Sequence, residues 1–399
     1  MQCISGGRQL QPLDLPEPSD ELKAQSQTLT ELIRAEIGDD SISFSRFMEL
    51  ALYAPEVGYY TSGTPKIGVG GDFTTAPQIS PLFGQCLANS LADQMNSLGQ
   101  SIVLELGAGL GTLAISVLQQ LKALNSLPQE YWILEVSADL KAQQKAAISK
   151  ALPDFINQVR WLNKLPTTPV DNLLIIANEV LDAMPVQRIQ KTAEGLKEVH
   201  VTWDSDKNHF DYALKPLNQM LEAACAYLTP DQWPTPYSTE LNLNIQPWLK
   251  GLSEAMQTGT LIFSDYGYSR AEYYHPQRDM GTLRCYFQHL THDDPLILAG
   301  IQDITAHVDF SAVAHSATQL GLNFAGLTTQ AHFLMQSGLP KLCTQPTETL
   351  EAQLKLAQAI KTLTMPDEMG EVFKFIALRK NHETPVLGFE PRNLNHQIG

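Results

Sequence analysis

Glu105 stands two residues ahead of Gly107, and Gly109, Gly111 and Thr112 follow. Glycines let a chain turn sharply and let a ligand approach the backbone closely. A carboxylate just before them can receive an ammonium group. A dinucleotide loop has the spacing G-x-G-x-x-G and sets a pyrophosphate on a helix N-terminus. Here the spacing is G-x-G-x-G, which disfavours NAD and suits a ligand with an ammonium group and no phosphate. A second acid, Glu135, ends the run Tyr131-Trp132-Ile133-Leu134. An acid there can accept hydrogen bonds from both hydroxyls of a ribose; the alternative is a solvated acid at a strand end. A third constellation is Asn178-Glu179-Val180-Leu181-Asp182-Ala183-Met184-Pro185. Its two carboxylates and amide can hold a substrate, unless Asp182 caps a helix or turn before Pro185, as Asp commonly does.

Three elements must position these groups. Ile102, Val103 and Leu104 lead into Glu105, and Leu113, Ile115, Val117, Leu118 and Leu121 continue after the glycines at helical spacing. A buried parallel strand reads as a short apolar run, so the segment is strand, glycine turn, helix. Pro128 separates that helix from the strand ending at Glu135, and Leu173-Leu174-Ile175-Ile176-Ala177 is a further buried strand. Ligands of doubly wound sheets sit beyond the carboxyl ends of the strands, where all three constellations fall. S-adenosylmethionine has an ammonium group, a ribose and no phosphate, and the loop looks like motif I of the Rossmann-like methyltransferases. Asn178 is not followed by Pro-Pro-aromatic, the pattern of amino-methylating DNA enzymes.

Longer segments carry a family resemblance. They are Phe47-Met48 to Gly58-Tyr59-Tyr60, Gly71-Asp72-Phe73-Thr74-Thr75-Ala76-Pro77-Gln78-Ile79-Ser80 with Phe83-Gly84, the glycine loop, Asn178-Glu179 with Asp182-Ala183-Met184-Pro185, and Asp265-Tyr266-Gly267. Gly281-Thr282-Leu283-Arg284 and Asp303-Ile304-Thr305-Ala306-His307-Val308-Asp309-Phe310 complete them. The chain resembles the MidA-like methyltransferases, which include the mitochondrial complex I assembly-factor arginine methyltransferase. The similarity runs over residues 28–380. Departures are mild: Gln78 stands where the family usually has Glu, Val180-Leu181 where a Phe-Phe pair is common, and Ala108 where the loop has Pro.

The resemblance implies S-adenosyl-L-methionine as cofactor and an arginine of a partner protein, of the respiratory-complex kind, as acceptor. Methyl transfer is a displacement at a sulfonium methyl, and most of the gain is positioning. A guanidinium is protonated, with a pKa above about 12, so it must be neutralised as it attacks, which carboxylates can do by bidentate hydrogen bonding. Glu179 and Asp182 are the leading candidates, and His307 with Asp309 can assist proton removal. Asp309 has the alternative of capping a helix near Phe310. The cofactor residues expected are Gly71, Asp72, Phe73, Thr74, Glu105, Gly107, Gly109, Gly111, Thr112, Glu135 and Asn178. Gly70 to Thr75 is read as a lid over the cofactor, with Asp72 or the Thr hydroxyls at its methionine end; long functional loops often act so. The alternative is a structural loop. A methyltransferase with a small-molecule acceptor, or a non-catalytic cofactor-binding assembly chaperone, stays open beside the arginine reading.

Composition sets bounds. The 399 residues exceed one typical domain, and 43% hydrophobic content suffices for a core. A net charge of −16 repels nucleic acid and favours basic partners. No 18-residue apolar run predicts a membrane span, and the N-terminus reads neither as a secretory signal nor as an Arg-rich presequence; a cytoplasmic protein is expected. A homodimer is left open. Cys3, Cys86, Cys225, Cys285 and Cys343 are dispersed without C-x-x-C spacing, so neither a metal site nor a disulfide framework is expected.

The expected fold is α/β, a Rossmann-like class I methyltransferase. It has a seven-stranded mostly parallel sheet with a reversed last strand, α/β insertions and an N-terminal helical segment. Residues 1–80 hold an irregular start, a helical stretch with Leu29, Leu32, Ile33 and Ile37 on one face, and the lid loop. Residues 81–380 form the core, with insertions at about 186–250 and 268–310, and 381–399 a tail. Residues 81–98 read as a helix, Lys197–Trp203 and His209–Leu214 as a hairpin, and Leu217–Leu228 as a helix. Thr260–Ser264, Leu322–Leu327 and Val372–Leu378 supply the last core strands.

Overall fold

In the computed structural model, residues 15–62, 75–344, 349–390 and 394–398 are described. The chain groups into two units. One comprises the described residues within 75–182, 245–270 and 308–398; the other comprises those within 15–62, 183–244 and 271–307.

The first unit is built on one sheet. Its strands are β1 (Ile102–Leu106), β2 (Glu130–Leu134), β3 (Val159–Leu162), β4 (Leu173–Asn178), β5 (Gly259–Tyr268), β6 (Val308–Asp309), β7 (Asn323–Thr329) and β8 (Phe373–Lys380). The order is β7-β8-β5-β4-β1-β2-β3, with the two-residue β6 paired to the end of β5. β5, β4, β1, β2 and β3 are parallel, and β8 runs antiparallel to both β5 and β7. This is the expected seven-stranded sheet with its last strand reversed, and β6 is an addition. The apolar runs form strands because both faces are covered. Val103, Tyr131, Ile133, Leu174, Ile176, Ile262, Phe375 and Ala377 feed one core shared with helical residues such as Phe83, Leu87, Leu113 and Val117.

Three helices position the site. α1 (Pro81–Leu98) starts on Ser80, whose Oγ accepts from the Leu82 N–H, with Pro81 in its first turn. Pro suits that place because its missing N–H would have no partner. α2 (Thr112–Ala123) starts from Gly111 without a side-chain cap, so its first N–H groups donate to no capping side chain. α3 (Ala138–Ala151) is capped by Ser137, which accepts from the Leu140 N–H.

The second unit carries a five-stranded antiparallel sheet of Ile42–Ser43, Gln187–Thr192, Gly195–Asp204, His209–Pro216 and Tyr237–Leu241. The expected hairpin is present as Gly195–Asp204 against His209–Pro216. A three-stranded sheet of Arg284–Phe287, Leu290–His292 and Asp303–Thr305 accompanies it. Its core gathers Leu29, Ile33, Phe44, Phe47, Val201, Phe210 and Cys285. On the helix Asp20–Ile37 the buried stripe is Leu29, Ile33 and Ile37. Leu32, expected on that face, is 39% exposed, because the stripe follows i, i+4, i+8 and leaves i+3 outside it. No described helix is long and apolar enough to cross a membrane.

Candidate active site at the C-terminal edge of the sheet

The strand ends of β1, β2, β4 and β5 carry most of the expected groups within the first unit. After β1 the chain passes through Gly107, Gly109 and Gly111 at φ +67°, +51° and +80°. L side chains avoid this left-handed region. At Gly107 space is tight as well: a Cβ would lie 2.8 Å from Val180 Cγ2, so the Val180 side chain would have to shift. That contact also brings the glycine loop against the segment after β4. Thr112 opens α2 and is half-buried.

Glu135 follows β2 and is buried. Its Oε1 accepts the Ser137 N–H at 2.9 Å and its Oε2 accepts Gln144 Nε2 at 3.2 Å. Gln144 Nε2 also donates to the Gly109 carbonyl at 2.8 Å, while its Oε1 accepts Trp161 Nε1 at 2.9 Å. Gln144 lies in a helix of largely polar sequence, and nothing in its spacing singled it out. Beside Glu135, Val136 is 78% exposed.

Glu105 is buried in β1, where its carboxyl accepts the Tyr131 hydroxyl at 2.6 Å. Burial pushes its pKa up to about 7, against the pull of that hydrogen bond. The acid expected to receive an ammonium group thus has a protein partner of its own.

Just past the end of β4, and along the last residues of β5, lies a carboxylate cluster. Asn178 Nδ2 donates to Glu179 Oε1 at 2.9 Å, and the Glu179 N–H donates to the Ser264 carbonyl at 2.9 Å. Glu179 holds φ +54° without being glycine, a conformation that costs energy and tends to persist at functional sites. Asp265, fully buried, turns the chain that follows: its Oδ2 accepts the N–H groups of Val180, Leu181 and Asp182 at 3.2, 3.0 and 3.3 Å. Burial raises its pKa, and Asp182 and Glu179 add to the rise, while backbone donors oppose it. Tyr266 donates its hydroxyl to Asp182 Oδ2 at 2.6 Å. Asp182 and Ala183 form a turn before Pro185, and the next element is the strand Gln187–Thr192 rather than a helix, so of the structural alternatives for Asp182 the turn stays open. Asp265 and Tyr266 were visible only as members of a motif, with no role attached.

His307 lies in the second unit. Its N–H donates to Thr282 Oγ1 at 3.2 Å, and its Nδ1 is 3.2 Å from the Thr282 carbonyl. A carbonyl only accepts, so Nδ1 carries the proton in this arrangement. Thr282 in turn donates through N and Oγ1 to the buried Glu240 Oε2 at 2.7 and 2.9 Å. Asp309 accepts the Ala312 N–H at 3.1 Å and caps the helix Phe310–Gln319, which is its structural alternative. Gly71, Asp72, Phe73 and Thr74 lie outside the described residues. Immediately after them Thr75 donates its N–H to Gln78 Oε1 at 3.2 Å, part of a capping box. Glu or Gln serves that box equally, so Gln78 keeps the local structure without the charge.

The residues present fit a cofactor with an ammonium group and a ribose. Asn178 Oδ1 and Ser264 Oγ are buried and have no hydrogen-bond partner among the described residues. The loop at Gly107 admits a side chain only if Val180 moves, and α2 leaves its N-terminus without a side-chain cap. Among the described residues no group of His, Cys, Asp and Glu is arranged to hold a metal ion.

Comparison with known proteins agrees. A family model of S-adenosyl-L-methionine-dependent methyltransferases matches residues 86–328. The mitochondrial protein arginine methyltransferase NDUFAF7 of Homo sapiens is 29% identical, over 84% of this chain and 80% of that protein. The NDUFAF7 homolog of Drosophila melanogaster is 28% identical, over 95% of this chain and 92% of its own. A methyl-transferase candidate from Burkholderia thailandensis, crystallised with S-adenosyl-homocysteine, is 37% identical with a TM-score of 0.90, over 96% of this chain and 99% of its own.

Proposed function

The chain belongs to the S-adenosyl-L-methionine-dependent methyltransferase family, and on that premise we propose that it methylates an arginine of a partner protein. The observation that carries this reading is the carboxylate pair Glu179 and Asp182 on one segment beyond β4, against the glycine loop through the contact of Val180 with Gly107. The names of the mitochondrial relatives support the same acceptor.

The bound cofactor supplies an activated methyl group. The protein's work is to hold and to neutralise. Glu179 and Asp182 grip the guanidinium by paired hydrogen bonds, which fixes one nitrogen in line with the methyl–sulfur bond. Their charge offsets the cation, and the proton released as the new N–C bond forms passes to a carboxylate. Tyr266 holds Asp182 in place, and Asp265 holds the backbone between the two acids. His307 is proposed as a second group assisting proton removal, to be tested by substitution. Glu135 receives the ribose hydroxyls, and Asn178 Oδ1 receives the ammonium.

A respiratory complex subunit is the proposed partner, and the cytoplasm the proposed compartment, which cell fractionation tests. The deciding experiment is transfer of a radiolabelled methyl group into a lysate of the source cells, followed by mapping of the label. Label on an arginine of one protein supports the reading. Label on a small molecule only, or on another residue type, overturns it.

A further inference from the structure

Gln144 occupies a place that a structural glutamine does not need. It is fully buried, and its amide spans the two halves of the cofactor loop system. One amide nitrogen donates both to the Gly109 carbonyl at 2.8 Å and to Glu135 Oε2 at 3.2 Å. The amide can sit only one way round. Trp161 Nε1 is a donor and never an acceptor, so Gln144 Oε1 must face it, as it does at 2.9 Å. The NH2 is then aimed at two acceptors. A flipped amide would oppose donor to donor at Trp161 and acceptor to acceptor at Gly109 and Glu135.

The consequence falls on Glu135. An ionised carboxylate accepts at about four lone-pair sites. Ser137 N–H takes one on Oε1 and Gln144 takes one on Oε2. Each oxygen keeps capacity for one further donor, which matches a pair of ribose hydroxyls. Gly111 joins the same arrangement, since a Cβ there would lie 3.5 Å from Gln144 Cγ.

We infer that Gln144 is a positioning residue for the cofactor: its amide, oriented by Trp161, locks the Glu135 carboxylate and the Gly109 carbonyl in the geometry that the adenosine end requires. It rests on the reading of Glu135 as the ribose acid. It adds a residue outside every motif of the sequence and predicts that Gln144 acts through Glu135.

The test is calorimetric titration of the full chain with S-adenosyl-homocysteine, alongside thermal melts. Gln144→Leu removes the donors at similar volume and weakens binding about tenfold, the loss expected for a hydrogen bond to a charged acceptor. Glu135→Gln weakens it to a similar degree, and the double variant loses clearly less than the product of the two single losses, because part of the effect of Gln144 passes through Glu135 and part through the Gly109 carbonyl. Trp161→Phe frees the amide to rotate; it weakens binding in the wild-type background and does nothing further in Gln144→Leu. If Gln144→Leu does not fold, the Trp161→Phe comparison in wild type and in Glu135→Gln carries the test. A folded Gln144→Leu chain that binds like wild type, or losses that multiply fully in the double variant, overturns the inference. Wild-type binding by Glu135→Gln removes the ribose reading itself and the inference with it, and is told apart because that single variant is the one that stays silent.

Discussion

The hydroxyl of Tyr266 donates to Asp182 Oδ2 at 2.6 Å, across from the adjacent strand β5 to the turn after β4. A hydrogen bond of that length to a carboxylate is a charge-assisted one. It fills one acceptor site on an acid proposed to grip the substrate arginine, and so fixes which way the acid faces. Tyr266→Phe removes the donor and keeps the ring. Methyl transfer should slow roughly tenfold, about 1.4 kcal/mol of barrier, while cofactor affinity stays within a factor of about two. Single-turnover rates beside cofactor titrations measure this, and an unchanged rate would leave Tyr266 a packing residue.

Gly107 meets two constraints at once. Its φ of +67° costs a side chain about 1–2 kcal/mol, and a Cβ would press on Val180 Cγ2 at 2.8 Å. Gly107→Ala should therefore weaken S-adenosyl-homocysteine binding at least tenfold, by roughly 1.4 kcal/mol. Val180→Ala in the same chain removes the clash but not the φ cost, so rescue should be partial. Complete rescue would show that the backbone conformation matters little.

Glu105 gives a pH signature. Burial raises its folded-state pKa from 4.5 to about 7. The folded chain then holds the proton more tightly than the unfolded chain does. Stability from this source is fully present below about pH 4.5 and is lost as pH rises through 7. The loss is on the order of 3 kcal/mol. Glu105→Gln keeps an acceptor for Tyr131 and removes the titration. Urea denaturation between pH 5 and 8 should show a flatter pH dependence in the variant, and parallel curves would refute the buried-acid account.

The sheet was legible because its strands are covered on both faces. Leu173–Ala177 and Thr260–Ser264 read as apolar runs, and the glycines after Glu105 mark the turn. Tyr237–Leu241 was not legible. Its sequence is Tyr-Ser-Thr-Glu-Leu, yet all five residues are buried, and Glu240 is tolerated there because Thr282 donates to it twice. A pattern of polar and apolar residues cannot show a partner forty-two positions away. The site divides the same way. Glu135, Glu179 and Asp182 announced themselves as acids at strand ends. Gln144 did not, since Gln in a polar helix is ordinary, and its role comes from Trp161 and Gly109 approaching it in space. Nor does a sequence reveal that Glu179 takes a left-handed backbone conformation.

Glu179 and Asp182 carry the catalytic proposal, and their conservative amides test it. Glu179→Gln keeps shape and keeps an oxygen for Asn178, which donates to Oε1 at 2.9 Å. It loses the charge that grips a cation. Transfer should fall at least tenfold, about 1.4 kcal/mol of barrier, with S-adenosyl-homocysteine affinity retained. Asp182→Asn should act likewise, and it separates two roles. If Asp182 serves the acceptor, the rate per folded molecule falls and the melting temperature moves little. If its bond to Tyr266 serves only folding, the melting temperature falls and the rate per folded molecule is kept. The measurement is single-turnover transfer to the mapped acceptor with thermal melts on the same preparations. Because both acids also sit near Asp265, whose pKa they help to raise, removing either charge should make Asp265 easier to ionise and so partly offset the loss in stability. Full activity in both variants would end the carboxylate mechanism and point to a different acceptor.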